Sequence, residues 1–561
     1  MNKFLSTVAS VVLLVACGGG GGDSAPAPSA VAPAPTPTPT ATPTPTSTPT
    51  PSWQFTDVTD ASGLIHRWGV RGIVRAEEAT TAEYSAGGFA VGDYDGDGWI
   101  DVFIDAGDRE PSKLFRNLGG NKFQNVAATA GVQIHQHRGS GPMFADVNGD
   151  GWLDLFVGGL EGDANYLFLN NGDGTFDDYS DQSGLNVQAS NTISAAFGDY
   201  NKDGFLDLVL AHWGNPRTTD TETLFQGSGT GYFENVSIAS GIAEALIPEN
   251  QPGIEGDSDY GFTPTFADLN NDGWSDLTMV ADFSASRYFL SDGLGRFSDA
   301  TDNQLTDQFG MGSALGDFDN DGDLDWFVTS IYQINDFAVT NIGNRLYKNN
   351  AGRFSDVTFV ARVEQGGWGW GACFADVNND GYLDIFHTNG YRETGGTDPE
   401  KNDYRIDENK MFISEKNGRF KESAEELKLN DAGQGRGVAC FDADQDGDID
   451  ILVSKNDLEG NGLQLFRNDG HEQSTHYLRI RLKGAGANTE AAGARVYVST
   501  DSQTQMREVM IGSNFVSQNP AELHFGLADA SEVDEVRVRW LDGTETVLSD
   551  IAANQLIVIS Q

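Results

Sequence analysis

From Trp53 onward the chain alternates short apolar runs with polar stretches built of Asp, Asn and Gly. Runs such as "WIDVFI" (99–104) and "FLDLVL" (205–210) are rich in β-branched and aromatic residues and too short for helices, so they predict strands. The polar stretches between them predict turns. One block recurs seven times: DYDGDGWID at Asp93, DVNGDGWLD at Asp146, DYNKDGFLD at Asp199, DLNNDGWSD at Asp268, DFDNDGDLD at Asp317, DVNNDGYLD at Asp376 and DADQDGDID at Asp442. Each block is followed by a second apolar run: Leu114–Asn117, Leu167–Asn170, Leu224–Gly227, Tyr288–Ser291, Leu346–Asn349, Met411–Ser414 and Leu465–Asn468. A glycine turn and a segment such as "FQNV" at Phe123, "FENV" at Phe233 or "FSDV" at Phe354 usually complete the unit. About four short strands per repeat is the pattern of a propeller blade.

The seventh unit stops at "LQLFRNDG", and an unmatched "FTDVTDASGL" stands at Phe55 before the first block. Circular closure explains both ends, because a borrowed N-terminal strand leaves no open sheet edge. The expected fold is all-β: a seven-bladed β-propeller over residues 53–470, with calcium-loop hairpins. From 471 to 561 the segments 476–484, 493–499, 507–512, 521–527, 534–543 and 554–560 alternate apolar and polar residues, predicting a small antiparallel β-domain that carries more of the basic residues.

In every block, positions 1, 5 and 9 are Asp, position 6 is Gly, and position 3 is Asp or Asn. Turn preference accounts for Asp, Asn and Gly in a hairpin, but not for a carboxylate repeated at position 9. A hard cation does account for it. Ca²⁺ takes six to eight oxygens, side chains at positions 1, 3 and 5 of a tight loop converge, and a later carboxylate closes the shell. The expected ligands are therefore Asp93, Asp95, Asp97 and Asp101; Asp146, Asn148, Asp150 and Asp154; Asp199, Asn201, Asp203 and Asp207; Asp268, Asn270, Asp272 and Asp276; Asp317, Asp319, Asp321 and Asp325; Asp376, Asn378, Asp380 and Asp384; and Asp442, Asp444, Asp446 and Asp450. That makes about seven calcium sites. Magnesium is disfavoured by its strict octahedral demand. Zinc is disfavoured because the loops hold no His or Cys.

The 83 acidic and 35 basic side chains give a formal charge of −48, which argues against nucleic-acid partners and suits bound cations. Three cysteines in 561 residues exclude a disulfide scaffold. Residues 1–17 combine Lys3, an apolar run from Phe4 to Ala16 and Cys17, predicting a bacterial lipoprotein signal with Cys17 as lipid acceptor. Residues 18–52 are Gly-rich and then Pro/Thr-rich, a polyproline-type linker. Its 26 residues from Pro26 to Pro51 reach up to roughly 80 Å at about 3.1 Å per residue. These features predict export to the bacterial cell envelope, with Gly18 fitting outer-membrane sorting and the membrane touched only through the N-terminal lipid.

If the calcium hairpins occupy one face, the long connections 60–86, 211–223, 237–262, 329–344 and 388–410 occupy the other, where recognition is expected. Candidate ligand-face residues there are His66, His135, His137, His212, Trp368, Trp370 and His387, with structural roles for the histidines weighed above a site. The acidic stretches 255–261 and 396–409 are expected to be solvated loop charge. Trp99, Trp152 and Trp274 at loop position 7 are expected to cover their hairpins. Cys373 and Cys440 lie three and two residues before their loops, which predicts separate buried thiols.

The repeat units resemble the FG-GAP or VCBS repeats also found in integrin α-chain propellers. This resemblance implies calcium in the hairpin between the first two strands of each blade, held from positions 1, 3, 5 and 9. The stretches "HYLRIRLKG…GARVYV", "GSNFVSQNPAELHFGL" and "VRVRWLDGTET" resemble the ASPIC/UnbV domain, which follows a repeat propeller in the cartilage acidic protein family. "FGMGSALGDFDNDGDLD" and "GWGWGACFADVNNDGYLD" are similar to that family too. The family carries no settled activity. The expected function is recognition or adhesion toward an extracellular polysaccharide, matrix component or protein. The alternative is a propeller-based carbohydrate-active enzyme of lyase or dehydratase type. No nucleophile elbow, HExxH or P-loop occurs, and no catalytic residue is assigned.

Overall fold

A computed structural model describes residues 53–70, 79–85, 87–105, 107–187, 190–216, 223–245, 258–332, 343–391, 404–456, 461–470, 475–512 and 514–561. The signal segment, Cys17 and the linker lie outside the described residues. Each repeat folds into a four-stranded antiparallel meander. The first runs Phe89–Gly92, Asp101–Ile104, Lys113–Asn117, Phe123–Asn125. The innermost strands of the next six are Gly139–Ala145, Thr192–Gly198, Ser258–Ala267, Ser313–Gly316, Gly369–Ala375 and Gly435–Phe441. The third and fourth meanders are further joined by pairing of Trp213 with Tyr260.

The last meander, Gly435–Phe441, Asp450–Lys455, Leu463–Asn468, takes its outer strand from Phe55–Asp57, with Phe55 opposite Asn468. Its loop touches the first sheet: Asn117 Nδ2 donates to the Ala443 carbonyl at 3.0 Å and Gln445 Nε2 to that of Gly98 at 2.7 Å. The sheets therefore close into a β-propeller. Second strands such as Asp101–Ile104 are buried throughout because both faces meet neighbouring sheets, while outer strands such as Phe123–Asn125 bury only the first residue. Between the first and second sheets, Ala90, Phe103 and Leu114 pack on Phe144, Leu155 and Phe168.

Cys373 and Cys440 are bonded to each other across the sixth and seventh sheets, with their Cα atoms 6.4 Å apart, which corrects the expectation of separate thiols. Neighbouring blades pack face to face, so contacting residues come from opposite sides of their sheets and differ by one in pleat parity. The unequal offsets from the loops are what this contact requires.

The C-terminal region forms two sheets. One is ordered Glu522–Ala528, His476–Lys483, Gln555–Ser560, and the other Thr504–Glu508, Arg495–Ser499, Glu532–Arg539, Glu545–Ala552. They enclose Leu478, Ile480, Val496, Val536 and Trp540. Two features depart from the sequence pattern. His476–Lys483 pairs in parallel with Gln555–Ser560, and Glu545–Ala552, mostly exposed, adds a strand that its weak apolar alternation concealed.

The segments 509–512 and 514–520 leave this module and enter the axis of the ring. Phe515 and Val516 are fully buried beside Phe89, Phe262, Trp370 and Ala439. Innermost strands present unpaired backbone toward a propeller axis, and these residues satisfy several of those groups. Phe89 bridges Ser517 and Phe197 bridges Ile511. Gln518 accepts from the Phe144 N–H at 2.6 Å and donates to its carbonyl at 3.1 Å, while Asn514 Nδ2 donates to the Val438 carbonyl at 2.8 Å. Gly88, at φ +99°, admits this close approach, since a Cβ there would overlap the Val516 carbonyl.

Candidate metal centres

Each acidic block forms the hairpin between the first and second strands of its sheet, and one set of hydrogen bonds shapes it. In the first loop the Asp93 carboxylate accepts from the Gly98 N–H at 3.0 Å, and Asp97 accepts from the Trp99 N–H at 3.0 Å. Asp101 accepts from the N–H groups of Tyr94 at 3.3 Å and Asn117 at 2.7 Å, bracing the loop against the third strand. The equivalents Asp154, Asp207, Asp276, Asp325, Asp384 and Asp450 make the same pair of bonds. Position 9 is therefore a strut as well as a candidate ligand. Position-7 tryptophans lie against turn glycines of their own sheets, Trp99 at Gly119, Trp152 at Gly172 and Trp274 at Gly293.

Carboxylate oxygens of Asp93, Asp95 and Asp101 lie within 4.8 Å of one another, as do those of Asp317, Asp319 and Asp325, and of Asp442, Asp444 and Asp450. Asp clusters of this kind can hold a metal ion. Position 5 stands outside these three groups. Buried oxygens of Asp93, Asp268, Asp319 and Asp444 have no hydrogen-bond donor among the described residues, as expected of atoms suited to a cation. Burial, with neighbouring loop carboxylates adding to it, pushes Asp101 up to about 9, Asp154 and Asp276 to about 8, and Asp199, Asp376 and Asp442 to about 7. Such an all-oxygen, strongly anionic donor set fits a hard divalent cation.

The C-terminal module lies over this face. Arg479 pairs with Asp442 at 2.9 Å and with Glu522 at 2.6 Å. Arg481 reaches Asp93 at 3.4 Å and Arg539 reaches Asp268 at 2.7 Å. Thr489 donates to Asp146 at 2.5 Å, and the charge of Arg507 opposes, without cancelling, the rise that burial causes at Asp317 and Asp376. The basic content of this module was visible in the sequence, but its partners, the first aspartates of the loops, were not. Sequence reasoning also missed the Asn that ends several third strands. Asn117, Asn170, Asn349 and Asn468 each donate to a loop carbonyl of the preceding sheet, those of Ala443, Tyr94, Leu269 and Val377. Its recurrence in "LFRN" was the available signal.

Several candidate ligand-face residues are interior, which corrects their placement on an open face. His212 and His387 are fully buried, and burial pushes His387 down to about 3 while its Nε2 meets Asn344 at 3.0 Å. His137 is buried between Asp105, at 2.7 Å, and the Ala164 carbonyl, at 2.8 Å. Burial opposes its protonation, but the bond to Asp105 and the charge there outweigh burial and raise its pKa. His66 is buried. Trp370 is buried, donates to the Gly390 carbonyl at 2.7 Å and lies under the Arg436 guanidinium. His135 is exposed. Trp368 is half-buried, stacked on Tyr391 with ring centres 4.1 Å apart and met edge-on by Tyr404 at 5.0 Å. Residues 396–403 and 255–257 lie outside the described residues, while 258–261 begin the strand Ser258–Ala267.

Family comparison agrees with this geometry. An FG-GAP-like repeat matches residues 93–157, 146–210, 268–328 and 333–387, and an ASPIC and UnbV domain matches 484–561. The chain is thus an FG-GAP repeat propeller followed by an ASPIC and UnbV domain. It is homologous to cartilage acidic protein 1. The Xenopus tropicalis protein is 23% identical over 487 residues, 81% of this chain and 70% of that one. The Mus musculus protein is 26% identical over 297 residues, 52% of this chain but only 44% of that protein's length. Mouse integrin alpha-3 is 28% identical over 162 residues, 27% of this chain and 14% of the integrin. Among solved structures, the V. cholerae biofilm matrix protein Bap1 aligns at 11% identity and TM-score 0.29, covering 89% of this chain and 76% of its own. BBS1N in complex with ARL6DN aligns at 10% and 0.37, covering 74% and 97%. Neither superposition carries a further inference.

Proposed function

We propose that this protein is an exported, lipid-anchored, calcium-binding recognition module of the bacterial cell envelope. The repeats and the integrin and cartilage acidic protein homology suggest a repeat protein for recognition or adhesion. The finer reading is that calcium holds the hairpins while the face opposite them meets an extracellular glycan, matrix component or protein. One observation carries it. The loop face is covered by the C-terminal module and its arginines, which leaves the other ends of the strands for a ligand. There Trp368, half-buried and backed by the buried rings of Tyr391 and Tyr404, is a partly open indole of the sort that stacks on sugar rings.

Immobilised protein is to be screened against glycans and matrix proteins with calcium present. Binding that Trp368→Ala abolishes without changing the melting temperature supports the reading; binding indifferent to Trp368 removes the glycan platform. The enzyme alternative gains no support from His212 and His387, which are buried. Lipidation is tested by Cys17→Ala, expected to release the chain from membranes and to end incorporation of a labelled fatty acid.

A further inference from the structure

Position 3 of the loops is Asp in the first, fifth and seventh and Asn in the other four. The side chain facing it comes from the third strand, one residue before the N–H that braces position 9. Those braced residues are Asn117, Asn170, Gly227, Ser291, Asn349, Ser414 and Asn468. The preceding residues are therefore Arg116, Leu169, Gln226, Leu290, Lys348, Ile413 and Arg467. A cation stands there in the three loops with Asp at position 3, and a neutral residue in the four with Asn.

The contacts give the reason. Arg116 bridges Asp95 at 2.5 Å and Asp97 at 2.9 Å. Lys348 bridges Asp319 and Asp321. Arg467 differs, since its guanidinium is held by Asp469 at 2.6 Å and only its charge reaches Asp444 and Asp446. In the other loops the asparagine supplies the donor: Asn148 to Asp150 at 3.0 Å, Asn201 to Asp203 at 3.0 Å and Asn270 to Asp272 at 2.9 Å, with Asn378 bonded likewise to Asp380. Either device relieves repulsion between positions 3 and 5. Position 7 is Asp in the fifth and seventh loops, but Asp323 and Asp448 turn to Asn271 and Asn379 of the preceding loops.

We propose that this third-strand residue is a charge-setting partner of the metal loop, paired with position 3 so that positions 3 and 5 together with it carry the same formal charge in every loop. Counting positions 1, 3, 5 and 9 with the third-strand residue, the formal charge is −3 in all seven loops. A divalent ion would leave these five groups at −1 in each loop, to which Lys416 beside Asp380 and the C-terminal arginines beside Asp93, Asp268 and Asp442 add locally. The proposal rests on the calcium reading and names the residues that equalise this five-group charge.

Three variants of the full chain test it: Arg116→Gln with Lys348→Gln and Arg467→Gln, using the residue found at Gln226; Asp95→Asn with Asp319→Asn and Asp444→Asn; and all six changes together. Bound calcium is measured against free calcium by equilibrium dialysis, and each protein is also melted in EGTA. The glutamine variant is expected to bind three ions about tenfold more tightly, because affinity follows ligand charge, and to melt lower in EGTA. The six-fold variant is expected to return both properties to wild type. Effects that merely add in the six-fold variant overturn the pairing. If wild type binds no calcium the calcium reading fails, and non-additive melts in EGTA still test the pairing itself. Should a triple variant not fold, the single changes Arg116→Gln and Asp95→Asn with their double carry the same comparison.

Discussion

Asp101 and its six equivalents are struts as well as candidate ligands, and the structural role is the easier to isolate. Both oxygens accept backbone N–H groups, one from the loop and one from the third strand. Asp384→Asn would turn an amide donor toward one of those N–H groups. The expected cost is about 1–3 kcal/mol, typical of a buried donor left unpaired. Chemical denaturation in EGTA measures it without any contribution from ion binding. No loss there would mean the strut is idle. Gly88 offers a second test, at the axis. Gly88→Ala adds both a left-handed strain and an overlap with the Val516 carbonyl, so the melting temperature is expected to fall and Trp370, packed on Phe515, to change its fluorescence.

At the scale of the hairpin, burial makes the loop carboxylates hold protons well above the ordinary range, Asp154 to about 8 and Asp442 to about 7. The folded protein then binds more protons than the unfolded chain between about pH 4 and these values, so in EGTA stability falls as pH rises through that window. With saturating calcium the ions replace the protons, and the trend reverses, since acid then expels the metal. Melts at pH 5 and pH 8, with calcium and with EGTA, are expected to cross in this way. Parallel pH trends would contradict it.

The hairpins were legible in the sequence because Asp, Gly and Asp recur at fixed positions and a strand pattern follows each time. The strut at position 9 was not, because its partner lies 16 residues away at Asn117 and bonds through backbone that leaves no side-chain signature. The strand Glu545–Ala552 escaped for a related reason. Its residues are mostly exposed, so only a weak apolar alternation marks it.

Across the whole molecule, the ring is secured in three ways: Phe55–Asp57 completes the last sheet, Cys373–Cys440 ties the sixth sheet to the seventh, and residues 509–512 and 514–520 fill the axis. The first was foreseen from the unmatched "FTDV", since a repeat pattern exposes its own missing piece. The second was hidden because offsets of three and two residues from their loops match only across two facing sheets. The third gave no sequence signal, because "SNFVSQNP" has the composition of an ordinary loop and its burial depends on a ring hundreds of residues upstream. Phe515→Ala, which empties a site shared with Phe262 and Trp370, is expected to cost about 3–5 kcal/mol. Cys373→Ala with Cys440→Ala is expected to cost about 2–4 kcal/mol. Denaturation curves check both, and a silent Phe515→Ala would mean the segment is not held in the axis.

The most direct test of the whole is a thermal melt of the purified protein with calcium and after EGTA, paired with a count of bound metal. The seven loops call for about seven calcium ions per chain and a large fall in melting temperature on chelation. A melt indifferent to EGTA in a protein with little bound metal would show that the aspartates serve only as turn formers and struts, and would remove calcium from the account.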